Sequence, residues 1–505
     1  MTIYNINLGI GWASSGVEYA QAYRAKVFRE LGIPAKFIFT DMFQTENLQH
    51  FTRNIGFQDE EIIWLYSYFT DVKVAPTTYT RQQLEESFSW PIKQIETGNQ
   101  LVRYHVEGQD LYINAAVCGE ESQYVQRVEY VSKGKLLRKD YYSYTKIFSE
   151  YYTPKGDSPQ LYQRSFFNED GSVAYEEIQQ GKSSIFCFKD RICQSKEELI
   201  AYMLETLQLT SQDIILLDRS TGIGQAIIQY RGAAKLAVVI HAEHFSVKGT
   251  NEDNILWNNY YEYQFTNANK IDAFITSTQK QKEVLEEQFQ RYTAHRPKIY
   301  VLPVGSLETL RQPETARKPY GLITGSRLAS EKHIDWLVQA VILARKTLPN
   351  LTFDIYGEGG ERHKLMQLIE SHQAADYIQL KGHQHLSDIY QNYELYLTAS
   401  TSEGFGLTLM EAVGSGLPLI GLDVPYGNQT FVEDGKNGYL IQRQDPDDGQ
   451  KMALAFAEKI CRYYSEMDQE QAQATSYQVA DRFLHQRLEA MWQQFVKEMS
   501  DASII

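Results

Sequence analysis

Cysteine is scarce in this chain. Four occur in 505 residues, Cys118, Cys187, Cys193 and Cys461, and none stands in CxxC or another metal-ligand spacing. That excludes a disulfide scaffold and a zinc-type site, and it fits reduced packing residues of a cytosolic protein. Basic charge is also short: 49 Lys and Arg face 64 Asp and Glu, a net charge of −15. A chain of that sign is poorly suited to nucleic acid or an anionic membrane as its main partner. No apolar run reaches spanning length, and the first Lys or Arg is Arg24. Neither a transmembrane helix nor a secretory signal is therefore expected, and the expected location is the cytoplasm.

What is present reads as α/β. A chain of this length exceeds one hydrophobic core, so at least two domains are expected. Residues 3–8 form a short alternating strand. A loop with Gly9, Gly11 and Gly16 follows, then a helix, then the strand AKFIFTDM. This is the opening of a Rossmann-like domain. Its GxGxxxxG spacing differs from the dinucleotide GxGxxG, which argues against NAD. From about residue 50 to 195 the character changes to alternating strands punctuated by EGQD, SKGK, EDGS and QGKS hairpin signals. This predicts an antiparallel meander inserted into the first domain. Its many tyrosines predict an exposed aromatic face suited to a protein or extended peptide.

The α/β pattern resumes at Ser195. LAVVIHAEHF at 236–245 reads as a strand ending in His241, Glu243 and His244. HAEH resembles a metal pair, but two side chains three apart at a strand end diverge and no third ligand is apparent. The expected boundaries are 1–50 with 195–305 for the first Rossmann-like domain, 51–194 for the insert, 306–485 for a second Rossmann-like domain, and 486–505 for a terminal helix or tail. Residues 306–319 are expected to be the linker. The DxD-like Asp445-Pro446-Asp447 lies in a polar stretch and reads as loop and helix cap rather than a metal site.

Two segments carry the chemistry. GSRLASEK at 325–332 follows a strand and precedes a helix. Arg327 offers a planar fork for phosphate oxygens and Lys332 a point charge. TSEGFGLTLMEA at 401–412 places Glu403 in a glycine loop and Glu411 about one turn into the next helix. Free N–H groups at such a helix start can bind anions and sugar oxygens, and glycine lets a ligand approach the backbone.

This text resembles the donor site of retaining GT-B glycosyltransferases of family four. The resemblance implies a GT-B fold: two Rossmann-like domains facing a cleft, with the meander inserted in the first. It implies donor contacts from Gly16, Val17, Glu18 and Tyr19, from His241, from Arg327 and Lys332, and from His383 and Gln384. It adds Glu403, Gly404, Phe405, Gly406 and Glu411. Catalytic roles fall to His241, Arg327, Lys332 and Glu403. No metal or other cofactor is expected, because the two cations would neutralise the diphosphate. The N-terminal segment, the insert, VVIHAEH and TNEDNILWNNYYEYQFTNA narrow the likeness to the GtfA family of the accessory Sec locus in Gram-positive cocci and lactobacilli. That family implies transfer of N-acetylglucosamine from UDP-GlcNAc to Ser/Thr of serine-rich repeat adhesins, as the first step of their O-glycosylation. It also implies a GtfB-like co-protein in a hetero-oligomer, and it allows peripheral association with the cytoplasmic face of the membrane. Competing readings are a UDP-glucose-using version, a transferase building glycan or glycolipid, and an inactive adhesin-binding chaperone. Retention of all four charged residues counts against the last.

Overall fold

The computed structural model describes residues 1–12, 16–119, 122–155, 158–181, 183–443 and 448–500. Asp445-Pro446-Asp447 and the Ser14-Ser15 pair lie outside them. The chain forms two compact units. The first comprises Met1–Val239, Tyr260–Asp272 and Met499–Ile505, and the second Ile240–Asn259 and Ala273–Glu498.

Within the first unit, parallel strands run in the order Lys235–Ile240, Ile214–Leu217, Ile3–Asn7, Ala35–Phe39, Ile62–Trp64. These strands are apolar nearly throughout, as a sheet covered on both faces requires. The edge strand Ile62–Trp64 pairs parallel with Ala35–Phe39, so the antiparallel part begins later, at Ile92. From there ten strands follow one another to Ile192–Cys193, each paired antiparallel with the next.

The tyrosines of this sheet overturn the expectation of an exposed aromatic face. Tyr104, Tyr130, Tyr141, Tyr142 and Tyr175 are all buried, whereas Tyr162 is exposed. The physical reason is packing on both stretches of the sheet: Tyr104, Tyr130 and Tyr142 cluster with Tyr79, Leu84 and Phe88, and Tyr141 and Tyr175 lie where the sheet packs on residues 62–69 and on the helix Lys196–Thr206. Tyr66 stacks on Phe166 at 5.8 Å, Trp64 meets Phe148 edge-on at 6.0 Å, and Phe69 stacks on Tyr202 at 4.8 Å. Each such pair adds about 0.5–1.5 kcal/mol beyond area burial. The buried hydroxyls find partners: Tyr141 and Tyr152 donate to Glu150, and Tyr175 donates to the Tyr66 carbonyl. Arg164 bridges Glu150 at 2.9 Å and Glu177 at 2.8 Å in the same layer.

The second unit holds a six-stranded parallel sheet. Its order is Ile378–Gly382, Thr352–Tyr356, Gly321–Gly325, Leu395–Thr398, Leu419–Leu422, Gly438–Ile441. In chain order this reads 3-2-1-4-5-6, the doubly wound arrangement. Its topological switch lies between Gly321–Gly325 and Leu395–Thr398, where such sheets bind ligands at the carboxyl ends of their strands. The unit also contains the parallel pair Ala273–Thr276 and Ile299–Val301. Leu307, read as linker, is pinned within this unit: its N–H donates to the Phe483 carbonyl and its carbonyl accepts from His485, each at 2.9 Å. Asp448 caps the helix Gly449–Glu466. The terminal helix His485–Met499 sets Phe495 edge-on against Tyr300 at 4.9 Å.

Candidate active site

The switch point of the second sheet is a polar recess. It is lined by Thr324, Gly325, Ser326, Thr398, Ala399, Ser400 and Thr408, with Lys332 and Glu403 facing each other across it. Small residues at the two strand ends leave the space, and among the lining residues described Lys332 and Glu403 are the two that carry charge, with the Tyr396 hydroxyl beside them. Lys332 Nζ lies 2.8 Å from Glu403 Oε2, with side chains 16% and 21% exposed. The pair is thus sheltered yet reachable, unlike a sealed core ion pair.

Lys332 ends a short 3₁₀ turn, Ser330–Lys332. His333 then takes a left-handed conformation, φ 44°, and stacks on Trp336 at 3.7 Å before the helix Ile334–Ala344 begins. The turn therefore holds Lys332 just ahead of the helix. The neighbouring strand–helix loops lock to one another through backbone. Ser326 N–H donates to the Tyr356 carbonyl, Leu328 to Glu358, and Gly357 to Gly382. Gly357 and Gly359 sit at φ 132° and 156°, and a Cβ on either would collide with the carbonyl of Ser326 or Leu328. Glycine is needed there for close approach and for conformation.

Glu403 and the following glycines are clamped on two sides. The Glu403 carbonyl accepts from both Tyr426 and Gly427 N–H at 2.9 Å. On the other side, a Cβ on Gly404 would stand 2.6 Å from the His241 carbonyl oxygen. Gly406, at φ 90°, then opens the helix Leu407–Gly414.

The expected site residues fall into groups. Lys332, Glu403, Gly404, Phe405, Gly406 and His241 come together in the second unit. Phe405 is buried and packs edge-on to Phe431 at 5.2 Å, so its side chain supports the loop. Arg327 belongs to the same loop as Lys332 but points outward, 79% exposed and 3.4 Å from Glu331. Glu411 lies in the helix beneath. Burial raises its carboxyl above the ordinary value, against the opposing pull of Tyr390 and Arg311. The Tyr390 hydroxyl faces it without completing a hydrogen bond of ordinary geometry. His383 and Gln384 follow the strand Ile378–Gly382, and Gln384 donates to the Lys381 carbonyl. Gly16, Val17, Glu18 and Tyr19 open the helix Gly16–Glu30 of the first unit. There Glu18 is buried, accepting from Asn7 at 3.3 Å and paired with Arg219, while Tyr19 is exposed.

Two residues that the sequence reading passed over, Gln288 and Tyr426, also stand here, together with His244, which it weighed only as a metal ligand. The His244 ring is fully buried, with Nε2 2.8 Å from Gln288 Oε1 and Nδ1 3.1 Å from the Tyr426 hydroxyl. Burial pushes its pKa down to about 4. Both ring nitrogens of His244 thus face protein partners; among the described residues no group of three or more ligand-type side chains is placed to hold a metal. Among those residues, no helix is long and apolar enough to cross a membrane.

Comparison with known proteins matches this geometry to named families. Residues 94–190 match the GtfA extended beta-sheet domain, and residues 307–473 match the glycosyl transferases group 1 model. The chain is 63% identical over 501 residues, 99% of each chain, to the UDP-N-acetylglucosamine–peptide N-acetylglucosaminyltransferase GtfA subunit of Streptococcus parasanguinis. It superposes with a TM-score of 0.91 on the crystal structure of the pneumococcal O-GlcNAc transferase GtfA in complex with UDP and GlcNAc, at 55% identity and 99% coverage of both chains. A chain of a GtfA/B complex crystal structure gives a TM-score of 0.96 at 55% identity, covering 99% of this chain and 100% of that one. A doubly wound sheet with a charged pair at its switch point, a ten-stranded antiparallel sheet, and whole-length identity on this scale place the chain in the GtfA family of GT-B glycosyltransferases.

Proposed function

We propose that this protein transfers N-acetylglucosamine from UDP-GlcNAc to Ser/Thr hydroxyls of a polypeptide, with retention at the anomeric carbon. The observation that carries the reading is the Lys332–Glu403 pair, 2.8 Å apart at the switch point of a nucleotide-type sheet. Whole-length identity to peptide N-acetylglucosaminyltransferase subunits supports the donor and acceptor class. A serine-rich repeat adhesin of the accessory Sec system is the proposed acceptor, and a GtfB-like subunit in a cytoplasmic hetero-oligomer the proposed partner. The GtfA/B complex structure supports the latter.

In this reading Arg327 and Lys332 bind the diphosphate and stabilise the charge that develops on it, commonly the largest single catalytic term. Glu403, with the Gly404–Gly406 backbone, holds the sugar hydroxyls. Glu411 takes the ribose, His383 and Gln384 stand by the base, and His241 orients the sugar. A double displacement would need a carboxylate on the far face of the anomeric carbon. We instead assign a front-face substitution, in which the departing phosphate accepts the acceptor proton. Residues 306–485 are the nucleotide-sugar domain, and residues 1–50 with 195–305 the acceptor-side domain. The antiparallel sheet binds acceptor or partner.

The test is UDP release and peptide mass shift with the full chain plus its GtfB-like partner, a Ser/Thr-rich peptide, and UDP-GlcNAc or UDP-glucose. A mass gain of one N-acetylhexosamine is expected. Transfer of glucose alone, or no transfer, would refute the assignment. Transfer should persist in EDTA, since two side-chain cations take the place of a metal; its loss would refute that part.

A further inference from the structure

The donor loop is held by a device that the reaction itself does not use. His244 lies three residues beyond His241, whose carbonyl abuts Gly404. The amide oxygen of Gln288 can only accept, so Nε2 of His244 carries the proton toward it and Nδ1 is left to accept from the Tyr426 hydroxyl. The ring also stacks on that of Tyr426, centroids 5.8 Å apart and planes 15° apart. Both side chains are sealed from solvent. Tyr426 in turn presents its backbone, with that of Gly427, to the Glu403 carbonyl. Gly427 has no room for a side chain, because a Cβ would strike the Phe405 carbonyl. Residues 241–244 and 426–427 therefore grip the loop 403–406 from two sides, and the gripping segments are tied to each other through one neutral imidazole.

We propose that His244 and Tyr426 are positioning residues for catalysis: together they fix where the Glu403 carboxylate stands relative to Lys332. This rests on the transfer reaction assigned above. A polar pair of this kind, buried beside a loop that needs fixed geometry, makes each partner costly to remove alone. Loss of one leaves a buried donor or acceptor unmatched. Loss of the register moves the carboxylate without deleting it.

The experiment uses the full chain with its GtfB-like partner and compares Y426F, H244L and H244N. Y426F keeps the ring, the stack and the backbone donor, and removes only the hydroxyl. It should lower kcat about tenfold with a smaller change in KM for UDP-GlcNAc, an order of magnitude less than a full ångström of misplacement can cost. H244L should lose at least as much. H244N, whose amide oxygen can still accept from Tyr426, should recover most of the loss. The wild-type rate reports on the functional reading by itself, and the ratio of variant to wild type reports on the grip. A readout independent of turnover is the crystal structure of Y426F, in which the separation of Lys332 and Glu403, 2.8 Å here, should lengthen. An unchanged kcat with only a lowered melting temperature overturns the proposal, as does an unchanged separation. If H244L does not fold, Y426F alone decides.

Discussion

Two ion-pair systems in this molecule use the same chemistry for opposite ends. In the antiparallel sheet, Arg164 sits between Glu150 and Glu177 with side chains only 8%, 1% and 2% exposed. Every charge there is answered: Glu150 also accepts from Tyr141, Tyr152 and Gln44. In the switch-point recess, Lys332 and Glu403 have each other and little else in the lining, and both remain reachable. The sealed system has no capacity left for a ligand. The open one can exchange its internal partner for phosphate and sugar oxygens at low cost. Completeness of hydrogen bonding, not charge itself, separates a structural cluster from a working one.

That contrast can be broken most forcefully at Arg164. Replacing it with Met strands two buried carboxylates and should cost about 3–5 kcal/mol of stability. UDP affinity per folded molecule should stay at the wild-type level. Thermal melting and calorimetric UDP titration check both halves, and a normal melt would show that the cluster is not the strut inferred here. Lys332→Ala should do the reverse: transfer falls about 10²–10³-fold, while stability changes by less than about 1 kcal/mol, as for other solvent-reachable pairs. Undiminished turnover would remove Lys332 from the mechanism.

Acid sharpens the comparison further. Burial would raise the Glu150 carboxyl, but the Tyr152 hydroxyl, Arg164 and Tyr141 outweigh it and hold it below its ordinary value of 4.5. A depressed carboxylate adds stability that is present above the unfolded value and lost as pH falls through the folded one. Unfolding free energy should therefore drop with acid below about pH 4.5, and Glu150→Gln should flatten that drop. His244, held neutral down to about pH 4, works in the same direction from higher pH, since the unfolded chain protonates first. Urea unfolding from pH 7 to 3.5 measures both. The smallest effect belongs to Arg327→Ala. This more exposed cation should lower kcat/KM for the donor about tenfold, the equivalent of about 1.4 kcal/mol and less than the loss at Lys332, with little change in melting.

How much of this was legible in the sequence depends on distance along the chain. GSRLASEK and EGFGLTLMEA each complete their geometry within a dozen residues, so strand, loop and helix start could be placed from text alone. The hairpin turns at 107–110, 132–135 and 169–172 were equally local. The fate of the tyrosines was not, because burial of Tyr141 and Tyr175 depends on Trp64, Tyr66 and Phe69 arriving from another part of the chain. The parallel pairing of Ile62–Trp64 was missed for a similar reason: three residues carry too little pattern to reveal a partner 25 positions earlier. His244 shows the limit most clearly. Its partners stand 44 and 182 residues away, and its nearest textual neighbour, His241, drew attention to a metal instead.

The crowding at Gly357 and Gly359 has a consequence for how such an enzyme can diversify. Any single codon change that adds a carbon at either position pushes one phosphate-side loop through the backbone of the next. Both loops would have to be rebuilt at once, a step that stepwise mutation rarely takes. On the donor-site reading proposed above, variation in the sugar accepted has to enter through side chains lining the recess, such as Thr398, Ser400 and Thr408, and not through these two glycines.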